Sequence, residues 1–354
     1  MKKINKNIKI NITYKNYLKK IIIILVILII IIFLLKLLYD KKINVYDNFT
    51  NINDSEEYCK YISSNGIIKS CDIYSSSTPI SSIKHLNDYD FSKGFENCSI
   101  YVCTSAIPDF VKKINDINYK FTLVSGDADE STPTDIFSTN EEFINFIEND
   151  KIIHWYAQNC VGNHKKLSVI PIGLDYHTIS NNKNHSWDDY MSPKTQEELL
   201  CNIKDISKPF WERTIKCYSN FHFTITDSKF GYDRNNAMNN IPNDLIYFEP
   251  EKIKRTKTWE NMSSYCFIIS PHGNGLDCHR TWESLCLGCI PIVKTSVLDV
   301  LFNDLPVLIV NDWNEVSLEL CNKTIDDFKN KHLSNKFNYD KLLLKYWINK
   351  IKTN

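Results

Sequence analysis

The stretch SPHGNGLDCHRTWESLCLGCIPIV, residues 270–293, decides the fold of this chain of 354 residues. The apolar run CFIIS leads into it and the apolar run CIPIV ends it, and short apolar runs bounded by turn residues predict buried strands. Between them we expect a glycine-bearing loop, PHGNGLD, and a helix, CHRTWESLCLG, that ends at Gly288. A strand, a helix and a second strand in this order predict a βαβ unit of a parallel sheet.

The loop of this unit lies at the carboxyl end of its first strand, where open α/β sheets bind their ligands. Gly273 and Gly275 would let the backbone approach a phosphate closely, and the start of the helix favours an anion. Arg280, in the first helical turn, is suited to hold that phosphate with two hydrogen bonds. Glu283 lies on the same helix face and is suited to accept both hydroxyls of a ribose. Together they predict a nucleotide-diphosphate site; the alternative is a surface ion pair between Arg280 and Glu283.

Strand-like and helical stretches alternate along the rest of the chain, which predicts parallel α/β sheets. The first series contains the strand-like runs SIYVCTSA, KFTLVSG, KIIHWYA and KLSVIPIGL and the helical stretches PDFVKKIND and TNEEFINFIEND. The second series contains KCYSNFHFTIT, a helix near WENMSSY, CFIIS, CIPIV and LPVLIV. A polar stretch with an amphipathic helix, TQEELLCNIKDI, separates the two series. We therefore expect two Rossmann-like halves joined by a linker.

The most apolar segment, residues 21–39, reads IIIILVILIIIIFLLKLLY, with Lys36 as its only charge. As a helix it would be about 28 Å long, enough to cross a bilayer, and no small-residue cleavage site follows it. Seven lysines and no acidic residue lie in the first twenty positions, so the positive-inside rule predicts a cytosolic N-terminus. The alternative is a buried helix. We expect a single-pass type II membrane protein of the Golgi or endoplasmic reticulum.

A lumenal location is consistent with six sequons downstream of the apolar segment, which predict a glycoprotein: Asn48, Asn53, Asn97, Asn184, Asn261 and Asn322. The balance of 42 basic and 42 acidic residues predicts no general attraction to nucleic acid. The twelve cysteines lack a regular zinc spacing. Cys286 and Cys289 form a CxxC pair, but one lies late in a predicted helix and the other starts a strand, which favours buried packing over metal binding.

Asp127 and Asp129, in SGDADES, follow the predicted strand FTLV and have a spacing that could chelate a divalent cation together with a sugar nucleotide. In a two-domain enzyme the same loop would face the cleft, where either aspartate could accept the proton of an acceptor hydroxyl. Arg255, in KIKRTKTWENM, is a candidate second phosphate ligand because arginine is rare in this lysine-rich chain. Three further polar residues lie at predicted strand ends, with a structural role as the alternative: His154, Asp175 and His177.

The run from Tyr265 to Val316 resembles the C-terminal part of exostosin-like glycosyltransferases, glycosyltransferase family 47. The residues that carry the resemblance are Pro271, Gly273, Arg280, Glu283, Gly288, Ile290, Pro291, Val293, Asp312 and Trp313. It implies a GT-B fold of two Rossmann-like domains, with the donor sugar nucleotide in the C-terminal one. It also implies a type II topology and inversion at the anomeric carbon without an obligatory metal.

We therefore expect a glycosyltransferase that moves a sugar from a nucleotide-diphosphate sugar to a hydroxyl of a glycan or glycoprotein. The expected donor site comprises Ser270, His272, Gly273, Asn274, Gly275, Arg280, Glu283 and Arg255. Asp127 or Asp129 is the expected base, and Arg280 also stabilises the leaving phosphate. No bound metal or further cofactor is expected, although a divalent cation is possible. Two alternatives stay open: a metal-dependent GT-A-like transferase that uses the two aspartates, and a non-catalytic, membrane-anchored sugar-binding protein.

The expected regions follow the chain in order. They are a cytosolic tail (1–20), a membrane anchor (21–39), a stem (40–54), an acceptor domain (55–178), a linker (179–214), a nucleotide-sugar-binding domain (215–335) and a C-terminal helix (336–354).

Because the lysine excess precedes residues 21–39, we expect the chain beyond Tyr39 to enter the lumen when it is made in the presence of microsomes. A C-terminal tag should then resist added protease until detergent opens the membrane. Digestion of the tag without detergent would show the opposite orientation.

Overall fold

A computed structural model describes residues 54–75, 86–221 and 228–353. These residues belong to one of two units of the chain, residues 53–354. The predicted tail and anchor, and all but the last residue of the predicted stem, lie outside the described residues. Within the described ranges, no helix combines the length and the apolar character that crossing a membrane requires.

The first sheet has four parallel strands in the order β1-β2-β3-β4. Their bounds are Cys98–Cys103 (β1), Phe121–Gly126 (β2), Ile152–Ala157 (β3) and Leu167–Val169 (β4). Every residue of β1 and β2 is buried, as expected where both faces of a parallel sheet are covered.

The second sheet has five parallel strands in the order β6-β5-β7-β8-β9. Their bounds are Thr214–Ser219 (β5), Ile246–Phe248 (β6), Tyr265–Ile269 (β7), Ile290–Lys294 (β8) and Leu308–Val310 (β9). The chain passes from β5 to one side, at β6, and then crosses to the other side, at β7. The strand order therefore reverses between β5 and β7, and such a switch point forms a crevice at the carboxyl ends of the strands.

Eleven α-helices lie within the described ranges. Their bounds are Ser64–Ser70 (α1), Ile107–Lys113 (α2), Asn140–Ile147 (α3), His177–Asn181 (α4), Pro193–Ile206 (α5), Tyr232–Asn240 (α6), Arg255–Met262 (α7), His279–Cys286 (α8), Asp299–Phe302 (α9), Leu318–Leu333 (α10) and Leu344–Lys352 (α11). The last helix returns to the first sheet, where Tyr156 Oη donates to the carbonyl oxygen of Lys350 at 3.0 Å.

The predicted α/β class with parallel sheets is confirmed, and so are most of the predicted elements. The capped helix α3 has its capping box between Thr139 and Glu142, and Gly288 ends α8 with a φ of 73°. KLSVIPIGL is a shorter strand than predicted, because only Leu167–Val169 pairs with β3. SIYVCTSA also forms a shorter strand, which ends at Cys103 before a turn of 3₁₀-helix. The proposed domain boundaries stay predictions.

The cysteines pack in the interior rather than forming disulfides. All twelve lie within the described residues and are free. Cys286 and Cys289 are buried, as the sequence suggested, and Cys289 Sγ lies 3.1 Å from Arg213 Nη1.

The two halves meet at the glycine-bearing loop. Asn159, which follows β3, accepts a hydrogen bond from the Asp277 backbone N–H at 2.9 Å. A methyl group added at Gly275 would lie 2.7 Å from Asn159 Nδ2 and 3.2 Å from the carbonyl oxygen of Asp129. The space above Gly275 is thus filled by the first half of the chain. The contact between the halves therefore requires a glycine at this position, and the approach of a phosphate stays a prediction.

Replacing Gly275 with Ala should lower the free energy of unfolding by about 1–3 kcal/mol, because the added methyl overlaps a packed amide and a carbonyl. Urea unfolding of the full chain measures this change. The same substitution in an Asn159→Ala background should destabilise less, since the nearest obstacle is gone. An equal loss in both backgrounds would contradict the contact.

Candidate functional site

Two segments lie at the switch point of the second sheet. Phe221 follows the carboxyl end of β5, and the loop 270–277 follows the carboxyl end of β7. The loop leads directly into α8, so the first turn of that helix lies at the same edge. This is the position at which open parallel sheets bind ligands.

Two arginines converge on Phe221 and are called here the arginine pair: Arg280 of α8 and Arg234 of α6. Their guanidinium carbons lie 5.2 Å and 6.0 Å from the centre of the Phe221 ring. Arg234 Nη2 would lie 3.1 Å from a methyl group added at Gly273. Burial, together with the charge of Arg280, lowers the pKa of Arg234 to about 10. The positive charge of Arg280 thus disfavours the charged form of Arg234.

Arg280 Nη1 is buried and has no hydrogen-bond partner among the described residues. No described carboxylate forms an ion pair with this guanidinium. In particular, Glu283 lies 3.9 Å from Arg255 Nε and is not paired with Arg280. The helix-surface ion pair considered from the sequence is therefore absent from this part of the chain. A buried guanidinium donor without a partner is costly unless an anion binds it.

The loop before α8 is held by bonds within the protein. Asp233 of α6 accepts the His272 backbone N–H at 3.0 Å and the Trp313 Nε1–H at 2.7 Å. Ser270 is buried, and its hydroxyl lies 2.8 Å from that of Thr281. The hydroxyl of Ser270 thus links the loop to α8, and its role in ligand binding stays a prediction.

The carboxyl ends of β2 and β3 carry two residues in the left-handed conformation, Asp127 (φ 54°) and Asn159 (φ 48°). Such residues are uncommon and often occur at functional sites. The Asp127 backbone N–H donates to Gln158 Oε1 at 2.8 Å, while no described residue hydrogen-bonds its carboxylate. Burial raises the pKa of Asp127 to about 6.

Asp129 belongs to the same loop and lies against the glycine-bearing loop of the second half. Burial raises the pKa of its carboxyl, and a hydrogen bond from the Asn274 side chain opposes the shift. The structure therefore brings the predicted residues Asp129, Asn274 and Gly275 together at one junction. In the described ranges, no group of three or more His, Cys, Asp and Glu side chains is arranged to hold a metal ion.

Arg255, at the start of α7, is not part of the arginine pair. Its side chain is buried and contacts Asp175 of the first half. The Nη2 atom of Arg255 lies 3.1 Å from Asp175 Oδ2. Its Nη1 donates to the carbonyl oxygen of Asp175 and to Gln196 Oε1, the latter at 3.3 Å. Its side chain is 7% exposed. These partners make Arg255 part of a buried charge network, and its role as a second phosphate ligand stays a prediction. Arg234, by contrast, lies close enough to Arg280 for the charge of Arg280 to lower its pKa.

Asp175 also lies close to His177. Asp175, His177 and Glu56 are called here the acid–histidine cluster. Asp175 Oδ1 lies 3.3 Å from His177 Nδ1 and accepts the Thr178 backbone N–H at 2.9 Å. Burial would raise the pKa of Asp175, but the charges of His177 and Arg255 hold it well below its usual range. Burial would lower the pKa of His177, but the neighbouring carboxylates raise it. Burial raises the pKa of Glu56 to about 7.

Comparisons with known proteins add a distant likeness only. No protein-family model matches the chain, and no curated protein matches it. Among solved structures, one from E. coli described as "Trehalose-6-phosphate from E. coli bound with UDP-2-fluoro glucose" is 11% identical, with a TM-score of 0.37, over 74% of this chain and 74% of that chain. A likeness at this level carries no conclusion about function.

Replacing Glu56 with Gln should flatten the dependence of stability on pH. The pKa of Glu56 in the folded protein, about 7, lies above the ordinary value for Glu. The protonated carboxyl therefore stabilises the fold at low pH, and this contribution is lost as the pH rises through 7. Relative to wild type, the free energy of unfolding of the variant should rise by up to about 3 kcal/mol between pH 4.5 and pH 8. Urea unfolding at both pH values measures the gain. Glu141→Gln, at an exposed carboxyl of α3, is the matched control, and an equal change in both variants would contradict the cause given.

Proposed function

We propose that this chain is a glycosyltransferase that moves a sugar from a nucleotide-diphosphate sugar to a hydroxyl of a glycan or glycoprotein. The observation that carries the proposal is the arginine pair at the switch point, where Arg280 Nη1 is buried without a protein partner. Two neighbouring guanidinium groups match the charge of a diphosphate. The two parallel sheets are consistent with a GT-B arrangement.

In this proposal the diphosphate lies between Arg280 and Arg234, close to the start of α8. The helix dipole adds a favourable interaction with the anion. Glu283 is on the same helix and is 12% exposed at its side chain, and it would accept the ribose hydroxyls. The ring of Phe221, which both guanidinium groups approach, closes the apolar side of the phosphate site.

Transfer breaks the bond between the anomeric carbon and the diphosphate oxygen, and negative charge grows on the leaving group. Arg280 and Arg234 would stabilise that charge without a metal ion. The acceptor would enter from the first half, where Asp127 and Asp129 follow β2. The predicted anchor would place the reaction on the lumenal side of the endoplasmic reticulum or Golgi, and inversion at the anomeric carbon is part of the same proposal.

Replacing Arg280 with Ala should weaken binding of free UDP or GDP by about tenfold or more, because charge-assisted hydrogen bonds contribute about 1.5–3 kcal/mol. Turnover should fall further than binding, since the guanidinium also stabilises the leaving phosphate. Glu283→Gln should act mainly on donor affinity. Calorimetry with each free nucleotide, on the full chain, measures the binding change.

Two further variants make this test specific. Arg280→Lys keeps the charge but loses the two-pronged geometry, so it should bind with intermediate affinity. Glu260→Gln removes an exposed carboxylate of α7 and should leave nucleotide binding unchanged. Wild-type affinity in both Arg280→Ala and Glu283→Gln would remove this loop and helix as the donor site.

A further inference from the structure

His279, the first residue of α8, has its imidazole tautomer fixed by a backbone carbonyl of the first half. Its Nδ1 lies 2.8 Å from the carbonyl oxygen of Gly173. A carbonyl oxygen can only accept a hydrogen bond, so Nδ1 must carry the hydrogen. In the neutral ring Nε2 then holds the lone pair, which makes Nε2 the atom that can take up a proton.

The surroundings leave Nε2 available to a ligand. No described residue hydrogen-bonds this nitrogen, and the residue is partly exposed. Its neighbour Arg280 turns to Phe221 and Arg234, whereas His279 contacts Gly173 and faces His177 across 6.2 Å between ring centres. Consecutive residues of α8 therefore serve opposite sides of the junction, with the imidazole on the side of the first half.

The same surroundings keep His279 neutral near pH 7. Burial lowers its pKa, and its position at the start of a helix disfavours a positive charge further. The charge of His177 lowers the pKa as well, while Asp175, Glu283 and the bond to Gly173 oppose these effects. His177 differs because Asp175 lies 3.3 Å from its Nδ1 and favours the imidazolium. Of the two histidines, His279 is therefore the one that is ready to accept a proton.

We propose that His279 is the general base of the transfer reaction and accepts the proton of the acceptor hydroxyl at Nε2. The acceptor O–H bond breaks as its oxygen bonds to the anomeric carbon. The bond from that carbon to the diphosphate oxygen breaks, and its electron pair leaves with the diphosphate, held by Arg280. This assignment rests on the proposed function and replaces Asp127 and Asp129 as the base.

Two observations favour His279 over the aspartates. A general base acts best when a third group orients it. The carbonyl of Gly173 orients His279, whereas no described group hydrogen-bonds the carboxylate of Asp127. Asp129 is already engaged by Asn274. The imidazolium that forms on His279 would be stabilised by the nearby charges of Asp175 and Glu283.

Replacement of His279 with Asn separates a catalytic role of the imidazole from a structural one. The Asn amide can reproduce Nδ1–H and keep the bond to Gly173 but has no counterpart of Nε2. We expect His279→Asn to bind free UDP or GDP within about twofold of wild type. Its turnover, measured as nucleotide release from UDP- and GDP-linked sugars with water as acceptor, should fall by about 10²–10⁴-fold.

The pH profile of the full chain identifies the base. Wild-type kcat/KM should rise with pH through the pKa of His279, and His279→Asn should lose this rise, whereas Asp127→Asn should retain it. His154→Gln is the matched control, because Gln can keep the bond that His154 Nε2 makes to Ser168 Oγ at 2.8 Å. This variant should match wild type in rate and profile.

Each contrary result has a separate meaning. Wild-type turnover in His279→Asn, or loss of the pH-dependent rise in Asp127→Asn, would overturn the assignment of His279 while leaving the donor site intact. Failure of the wild-type chain to bind UDP, GDP or their sugars would overturn the proposed function and the assignment with it. Nitrogen-15 NMR of the imidazole, assigned by its loss in His279→Asn, gives a readout without substrate. A hydrogen on Nε2 at pH 7 would overturn the assignment.

Discussion

The buried carboxylate of Asp277 joins the two halves of the structure at the start of α8. It accepts the Ile172 backbone N–H at 2.8 Å and the Trp282 Nε1–H at 2.9 Å, while its own N–H donates to Asn159 Oδ1 at 2.9 Å. Burial raises its pKa to about 6, so the partners are needed to hold the charge. Because Asp277 immediately precedes α8, these bonds position the first helical turn. The placement of His279 and Arg280, the first two residues of α8, depends on this attachment.

Because the start of α8 is held at the junction, its first two residues point to different halves of the structure. Arg280 projects to the second half, where it joins Arg234 beside Phe221 and a cationic site results. His279, one residue earlier, projects to the first half, near the acid–histidine cluster. An α-helix turns about 100° per residue, so adjacent residues can serve different sides of a junction. In the proposed reaction, a diphosphate and a hydroxyl acceptor would thereby be bound by neighbouring residues without competing for the same groups.

The sequence predicts the features that depend on short segments and misses those that depend on distant contacts. The βαβ unit, the Thr139 capping box and the left-handed Gly288 are local, and each is confirmed. The sequence does not show the contact of Arg255 with Asp175, because Asp175 is 80 positions earlier in the chain. The close approach of Asn159 to Gly275 is equally non-local. Only the fold shows that Arg234 and Arg280 meet at Phe221.

Asp175 links the charges of the two histidines. Its carboxylate is shared between Arg255 and His177, which lie 3.1 Å and 3.3 Å away, and its charge also raises the pKa of His279. The two imidazole rings are 6.2 Å apart, and a proton on one disfavours a proton on the other. Since Asp175 favours the proton on His177, His279 remains neutral by comparison. Burial lowers the pKa of His279, and the carboxylate of Asp175 raises the pKa of His177, so the two neighbouring imidazoles differ in their tendency to hold a proton.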